Sequence, residues 1–312
     1  MKKLVLLVVF AFIGVTALFS QSQNQYDDEG DFRIMPIGGR TAVITRYVGT
    51  KQAVRIPPQI NGMIVTAIGD EVFKAKELIS VTIPNGVTTI GDSVFRGNQL
   101  TNVTIPNSVT IIGELVFEGN QLTRVTIPNS VTEIGRWAFA YNQLTSVAIP
   151  SSVTYIEDSA FRGNQLTSIT IPNGVTAIAE WAFEGNQLTS VTIPNSVTYI
   201  GIEAFAYNQL TSVTIPNSVT DIDQMAFSGN QLTSIIIPNS VTVIAGRAFE
   251  DNQLTIITIG ANVKLGGDVH YNHATFGEHF YHAFDYGFDY FYNTQGRKAG
   301  TYTYRNGSWS VR

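Results

Sequence analysis

Thr104–Val125 reads TIPNSVTIIGELVFEGNQLTRV, and the next 22 residues, Thr126–Val147, read TIPNSVTEIGRWAFAYNQLTSV. The two copies belong to a longer series. Pro84, Pro106, Pro128, Pro150, Pro172, Pro194, Pro216 and Pro238 stand 22 apart. The column Phe73, Phe95, Phe117, Phe139, Phe161, Phe183, Phe205, Phe227 and Phe249 keeps the same interval and extends it one copy toward the N-terminus. An unbroken period of this length marks a solenoid, in which each unit is covered by its neighbours. The expected fold is a mainly β solenoid, a right-handed coil of 22-residue repeats with short α or 3₁₀ segments, capped at both ends.

Within one copy the nearly invariant apolar residues are Leu100, Val103, Ile105, Val109, Ile112 and Phe117. Val103 and Ile105 are β-branched and alternate with Thr104, which predicts a short strand with one buried face. Pro106 ends it, and Pro-Asn-Ser or Pro-Asn-Gly supplies turn chemistry. A second extended piece, Val109 to Ile112, often closes on Gly. The segment after it, such as RWAFAYNQL, is too short for an independent helix and reads as one or two turns of α or 3₁₀ structure whose Phe fills the core. Asn98 and its seven counterparts, through Asn252, read as stacked amides that satisfy the backbone of adjacent coils.

Composition narrows the function. Only 14% of residues are charged and the net charge is −5, with both signs inside the repeats, so neither nucleic acid nor an anionic membrane is an expected partner. There is no cysteine, hence no disulfide and no thiol nucleophile. Stability has to come from stacking. No cofactor is expected.

The chain divides into a signal peptide (1–20), a polar leader (21–33), an N-terminal cap hairpin with an atypical first repeat (34–68), the solenoid (69–265) and an aromatic-rich C-terminal cap (266–312). Lys2 and Lys3, the apolar run Leu4–Ile13 and the smaller residues after it have the three parts of a secretory signal, with cleavage after Ala17 or Ser20. An uncleaved anchor is the alternative, although the run is short for a membrane span. Export without later membrane insertion follows, to the cell surface, the medium or the periplasm. The acidic run Asp27, Asp28, Glu29 and Asp31 reads as a flexible, solvated cluster rather than a calcium loop. Asn61-Gly62 predicts a hairpin turn that helps to close the N-terminal end of the stack. Asn306-Gly307 predicts another in the tail, whose aromatics are expected to pack on the open C-terminal end.

Repeats of the form IPNSVTxIGxxAFxxNQLTSVT, after the lead-in ITRYVGT…IPPQINGMIVTAIGDEVF, resemble the BspA-like leucine-rich-repeat proteins of bacterial surfaces over about Thr41–Val263. That resemblance implies a leucine-rich-repeat solenoid that binds other proteins or cells, commonly in adhesion to host matrix or partner bacteria. The general leucine-rich pattern is met only at Leu100, Val103 and Ile105. Ser108 stands where its Asn would be, so the turn after the strand should differ from that of the horseshoe-shaped relatives.

Trp137, Tyr141, Tyr155, Trp181, Tyr199 and Tyr207 occupy variable positions of the middle copies and are not needed for the coil. Equivalent positions two copies apart would lie about 10 Å from each other at strand spacing, so these residues are the candidate binding patch for a protein or a glycan. The outward column Thr104, Thr126, Ala148, Thr170, Thr192, Thr214, Ile236 and Thr258 forms a nearly uncharged, hydroxyl-rich second face. All four histidines, His270, His273, His279 and His282, lie in the tail. Their two H-x-x-H pairs are weak zinc or copper candidates, because no regular element is evident to hold them.

The expected function is non-catalytic protein recognition, with adhesion to host matrix or another bacterial surface protein as its use. A carbohydrate-binding module is the alternative. A parallel β-helix enzyme acting on acidic polysaccharide is the remote one, since it needs clustered Asp, Lys or Arg on a strand face. Glu157 and Asp223 instead interrupt the Gly column singly, as unpaired acids.

Overall fold

A computed structural model describes residues 26–266, 283–285 and 287–312. The chain forms a β solenoid of about ten turns spaced by 22 residues. The expected inward column is buried: Leu100, Val103, Ile105, Val109, Ile112 and Phe117 are each 5% exposed or less. Neighbouring phenylalanine rings from Phe73 to Phe249 stack nearly parallel, with centroids 5.4–5.7 Å apart and interplanar angles of 2–14°. Successive rings therefore lie face to face along the stack.

Two strand columns run the length of the stack, and the second is the more regular. Parallel pairs join Ala177–Ile178, Tyr199–Ile200, Asp221–Ile222, Val243–Ile244 and Lys264–Leu265 in one continuous sheet. The strand before each Pro is paired over three residues in places, as in Ser168–Thr170 with Ser190–Thr192. Elsewhere it thins to the single bridge Thr104↔Thr126. Proline lacks the N–H that would extend such a strand, so few ladder bonds are available to hold its register.

The expected short α or 3₁₀ segment reduces to single i→i+3 turns, such as Arg96 N–H to Ser93 O at 3.2 Å. Its backbone bonds go chiefly to the next coil instead. Ser93, Phe95 and Gly97 donate to the carbonyls of Glu114, Val116 and Glu118 at 2.8–2.9 Å.

The asparagine column is structural in every copy. Asn164, which is 6% exposed, donates from Nδ2 to Phe139 O (2.9 Å) and Phe161 O (3.1 Å), and its Oδ1 accepts Leu144 N–H at 3.1 Å. One amide therefore satisfies backbone groups of two successive coils. The serine two residues after each of these prolines does related work: Ser130, Ser152, Ser196 and Ser218 donate to the valine carbonyl one coil earlier at 2.5–2.6 Å. That hydroxyl bond is the turn chemistry that replaces the usual asparagine.

At the N-terminal end, Phe32–Gly38 and Thr41–Tyr47 form an antiparallel hairpin, and the second strand pairs in parallel with Met63–Ile68. Phe32 and Tyr47 close the ring stack, Tyr47 lying 5.1 Å from Phe73. Asn61-Gly62 is the expected turn, with φ of 51° and 75° between the paired residues Ile60 and Met63. The acidic run was expected to be loose, but the described part of it is seated. Asp27 bonds Lys51 Nζ and Arg55 N–H, both at 2.8 Å, and Glu29 accepts Asn61 N–H at 2.6 Å. The carboxylates satisfy donors at the end of the stack, and Phe32 is 3% exposed, so the packed cap begins within the expected leader.

At the other end Phe284 stacks on Phe249 at 4.9 Å, and Phe249 N–H donates to Ala283 O as it would to another repeat. The seven-residue helix Phe288–Thr294, which no periodicity announced, brings Phe288 and Tyr292 against Tyr302. Phe288 also packs 5.0 Å from Trp309. The hairpin Gly300–Arg305/Ser308–Val311 turns at Asn306-Gly307 and pairs with Ile256–Ile259. The proposed signal peptide, residues 1–20, and His270, His273, His279 and His282 lie outside the described residues.

Two stability outcomes follow. Asn164→Ala strands two carbonyls and one N–H, and should lower stability by about 3 kcal/mol, read as a fall in the calorimetric unfolding midpoint. Phe284→Ala should cost a similar amount, about 3 kcal/mol, with hydrogen exchange accelerated first in the coil of Phe249. Unchanged protection in that coil would show that the cap does not seal the stack.

Candidate functional site

The corner after each second strand sets the geometry of the candidate face. To aim N–H groups at the next coil, two positions per repeat take positive φ. The first column runs Glu71, Ser93, Leu115, Trp137, Ser159, Trp181, Glu203, Met225 and Arg247, all with φ of 51–61°. The second is Gly97, Gly119, Gly163, Gly185 and Gly229 in the interior, with Ala75 and Asp251 at its two ends. Tyr141 and Tyr207 fill its remaining places, at φ 52° and 54°. This backbone conformation costs an L residue roughly 1–2 kcal/mol and glycine almost nothing.

Each of these tyrosines lies over a glycine of the following coil. A Cβ on Gly163 would fall 2.6 Å from Tyr141 Cδ1, and one on Gly229 2.7 Å from Tyr207 Cδ1. The rings fill the space left by the missing side chains, yet remain 46% and 48% exposed. Trp137 lies 5.8 Å from Tyr141, and the Arg162 guanidinium sits 5.4 Å above the Trp137 ring. Arg162 also pairs with Glu184, whose carboxyl is raised above the usual range by burial, against the opposing pull of Arg162.

The other three candidates are placed differently. Tyr155 is the most exposed of the six, at 59%. Trp181 is half-buried, and its backbone N–H reaches Ile202 O at 2.8 Å. Tyr199 donates its hydroxyl to the buried Asp223 at 2.5 Å. Burial, that hydrogen bond and the charges of Asp223, Glu180 and Asp221 push the phenol far above its ordinary pKa. The structure thus joins Trp137 and Tyr141 with Arg162, places Trp181 and Tyr207 along the same corner, and sets Tyr155 and Tyr199 on the second strand that precedes it. The two tryptophans stand two coils apart and Tyr141 and Tyr207 three.

The two acids that interrupt the glycine column singly are held by hydrogen-bond donors. Glu157 accepts Arg136 N–H at 3.0 Å, while Asp223 accepts the Tyr199 hydroxyl at 2.5 Å and Gln224 N–H at 2.7 Å. A carboxylate that replaces the corner glycine finds backbone donors at once. Sequence reasoning missed Arg162 and the positive-φ column. The available signal was tyrosine standing in a glycine column at 141 and 207.

The hydroxyl-rich strand face is open to solvent. Where its ladder is interrupted, grooves of about 470 Å³ (between Ser146–Ile149 and Ser168–Asn173) and about 420 Å³ (between Ser212–Asn217 and Ser234–Ile236) lie between coils. Ile236, at 70% exposed, stands at the second. Among the described residues, no group of three or more His, Asp or Glu is placed to hold a metal ion. No helix among them is long and apolar enough to cross a membrane.

Solved structures resemble this architecture. A leucine-rich repeat protein from Bacteroides ovatus ATCC 8483 superposes with a TM-score of 0.67 at 26% identity, over 78% of this chain and 67% of that one. The leucine rich repeat protein of T. pallidum superposes with a TM-score of 0.52 at 27% identity, over 58% of this chain and 88% of that one. No curated protein matches the sequence. The profile of the BspA type leucine rich repeat region matches in six copies, over residues 66–187 and 155–276. With its repeat, its ring stack and more than half its length accounted for in this way, the chain belongs to the BspA-type leucine-rich-repeat family.

Proposed function

We propose that this chain is an exported, non-catalytic scaffold that binds other proteins through the aromatic corner of its middle coils, and that it serves adhesion at a bacterial surface. Host matrix or the surface protein of a partner cell is the ligand class. The observation that carries this reading is the pair Tyr141 and Tyr207, two large half-exposed rings held at a left-handed position that interior coils otherwise give to glycine. Strain kept at an exposed position is a pointer to function, and exposed Tyr and Trp are the side chains that most often anchor protein partners. Family membership supports the scaffold role. Export rests on the sequence of residues 1–20, and adhesion on the family resemblance. Many modest contacts along a rigid repeated face become effective through multiple copies on a cell.

Reversion to the residues of other copies tests the site without Ala truncations. Tyr207→Gly should change unfolding free energy by no more than about 1 kcal/mol, because relief of the left-handed backbone offsets the lost ring contact. The combined variant W137S, Y141G, Y155T, W181S, Y199V and Y207G is then compared with the wild type on immobilised matrix proteins and a glycan panel. Saturable protein binding that the folded variant has lost is the expected result. Binding to glycans alone would replace this reading with a carbohydrate module, and protein binding unchanged in the variant would move the site to the strand face.

A further inference from the structure

The charged and aromatic residues of the later coils are confined to one sector. In residues 164–176, 186–198, 208–220 and 230–242 there is no ionisable side chain and no aromatic ring. Everything of either kind falls in the intervening nine-residue corners. From Tyr155 to Asp251 these corners carry nine carboxylates and two arginines, an excess of seven negative charges in a chain whose net charge is −5. Both arginines already face carboxylates, Arg162 at Glu184 and Arg247 at Glu250. Between residues 163 and 246 no Lys, Arg or His occurs at all.

Carboxylates stand near Tyr207 and Tyr199. After burial, the charges of Glu203, Asp251, Glu184 and Glu250 raise the Tyr207 hydroxyl above its ordinary pKa. Glu180 and Asp221 act in the same way on Tyr199. A ring face attracts cations through its quadrupole, and neighbouring carboxylates reinforce the attraction. An acidic or neutral partner gains nothing from such an arrangement.

We infer that the aromatic corner of the later coils docks a cationic, extended protein segment, its Lys or Arg side chains seated over Tyr207 and paired with carboxylates such as Glu180, Glu203 and Asp221. This inference rests on the protein-binding reading above and names the chemistry of the partner. Pitch supports it. Alternate residues of an extended chain recur every ~6.6 Å, against ring centroids 5.4–5.7 Å apart in neighbouring coils, so basic residues on one side of a short segment meet neighbouring coils.

The test uses the purified full chain and two synthetic peptides, one of alternating Lys and Ser, the other of alternating Glu and Ser. The Lys–Ser peptide should bind saturably, and the Glu–Ser peptide should not. Binding should weaken about tenfold in the triple variant E180Q, E203Q and D221N, and again in Y207G. It should also fall as salt rises from about 50 to about 500 mM. A control variant, D70N, E71Q and E77Q, makes the same change in net charge at the N-terminal coil and should bind as the wild type does. Equal weakening in both triple variants would show that binding follows net charge alone, which overturns the inference. No binding of the Lys–Ser peptide, together with matrix binding that depends on the aromatic residues, overturns this inference while sparing the protein-binding reading.

Discussion

A buried carboxamide with three backbone partners in two coils leaves those coils only one way to sit. Asn164 holds Phe139 O, Phe161 O and Leu144 N–H at once, and the same triple contact recurs from Asn120 to Asn252. Burial makes each unmade bond expensive, so the amide fixes both the register and the separation of its neighbours. The phenylalanines then fall into a nearly parallel stack, and the serine hydroxyls reach the valine carbonyls of the preceding coil. The positive-φ corner follows from the same demand. If backbone donors are to be satisfied along the axis, some residues have to turn their N–H groups out of the ordinary right-handed conformation.

The repeat thereby separates two duties. The thirteen residues that begin at each asparagine build the coil and in the later copies carry no charge. The nine-residue corners hold almost all the variation, and with it the Trp, Tyr and carboxylate side chains. Side chains can change there without disturbing the stack, since the corner's inward positions are Ala, Phe and Ile while its outward ones meet solvent. This is a scaffold with replaceable surface text. The hydroxyl-rich strand face, by contrast, has few charges or rings.

The ends obey the physics of the middle. Phe32 and Tyr47 at one end and Phe284 at the other continue the ring column, so the terminal phenylalanines have an aromatic neighbour on both sides. Ala283 O takes the bond from Phe249 N–H that another repeat would have taken. Asp289 accepts the N–H groups of Ala283 and Phe284 and thereby holds this imitation of a coil in place.

The period, the inward column, the asparagine ladder and both Asn-Gly turns were legible because each depends on local chemistry repeated many times, and repetition averages away the ambiguity of any one copy. The six aromatic positions were legible as departures from that repetition. Three features were not. The seating of Asp27 and Glu29 depends on donors at Lys51, Arg55 and Asn61, which are brought near only when the cap closes. The hydrogen bond of Tyr199 to Asp223 joins residues 24 apart that become neighbours through the stacking of successive coils. The left-handed backbone beneath Trp137, Tyr141 and Tyr207 has no signature in those residues themselves, since it is imposed by carbonyls of the following coil. Periodicity prescribes a coil through short-range preferences, whereas what faces what across the stack is decided by hydrogen bonds between residues that meet only after folding.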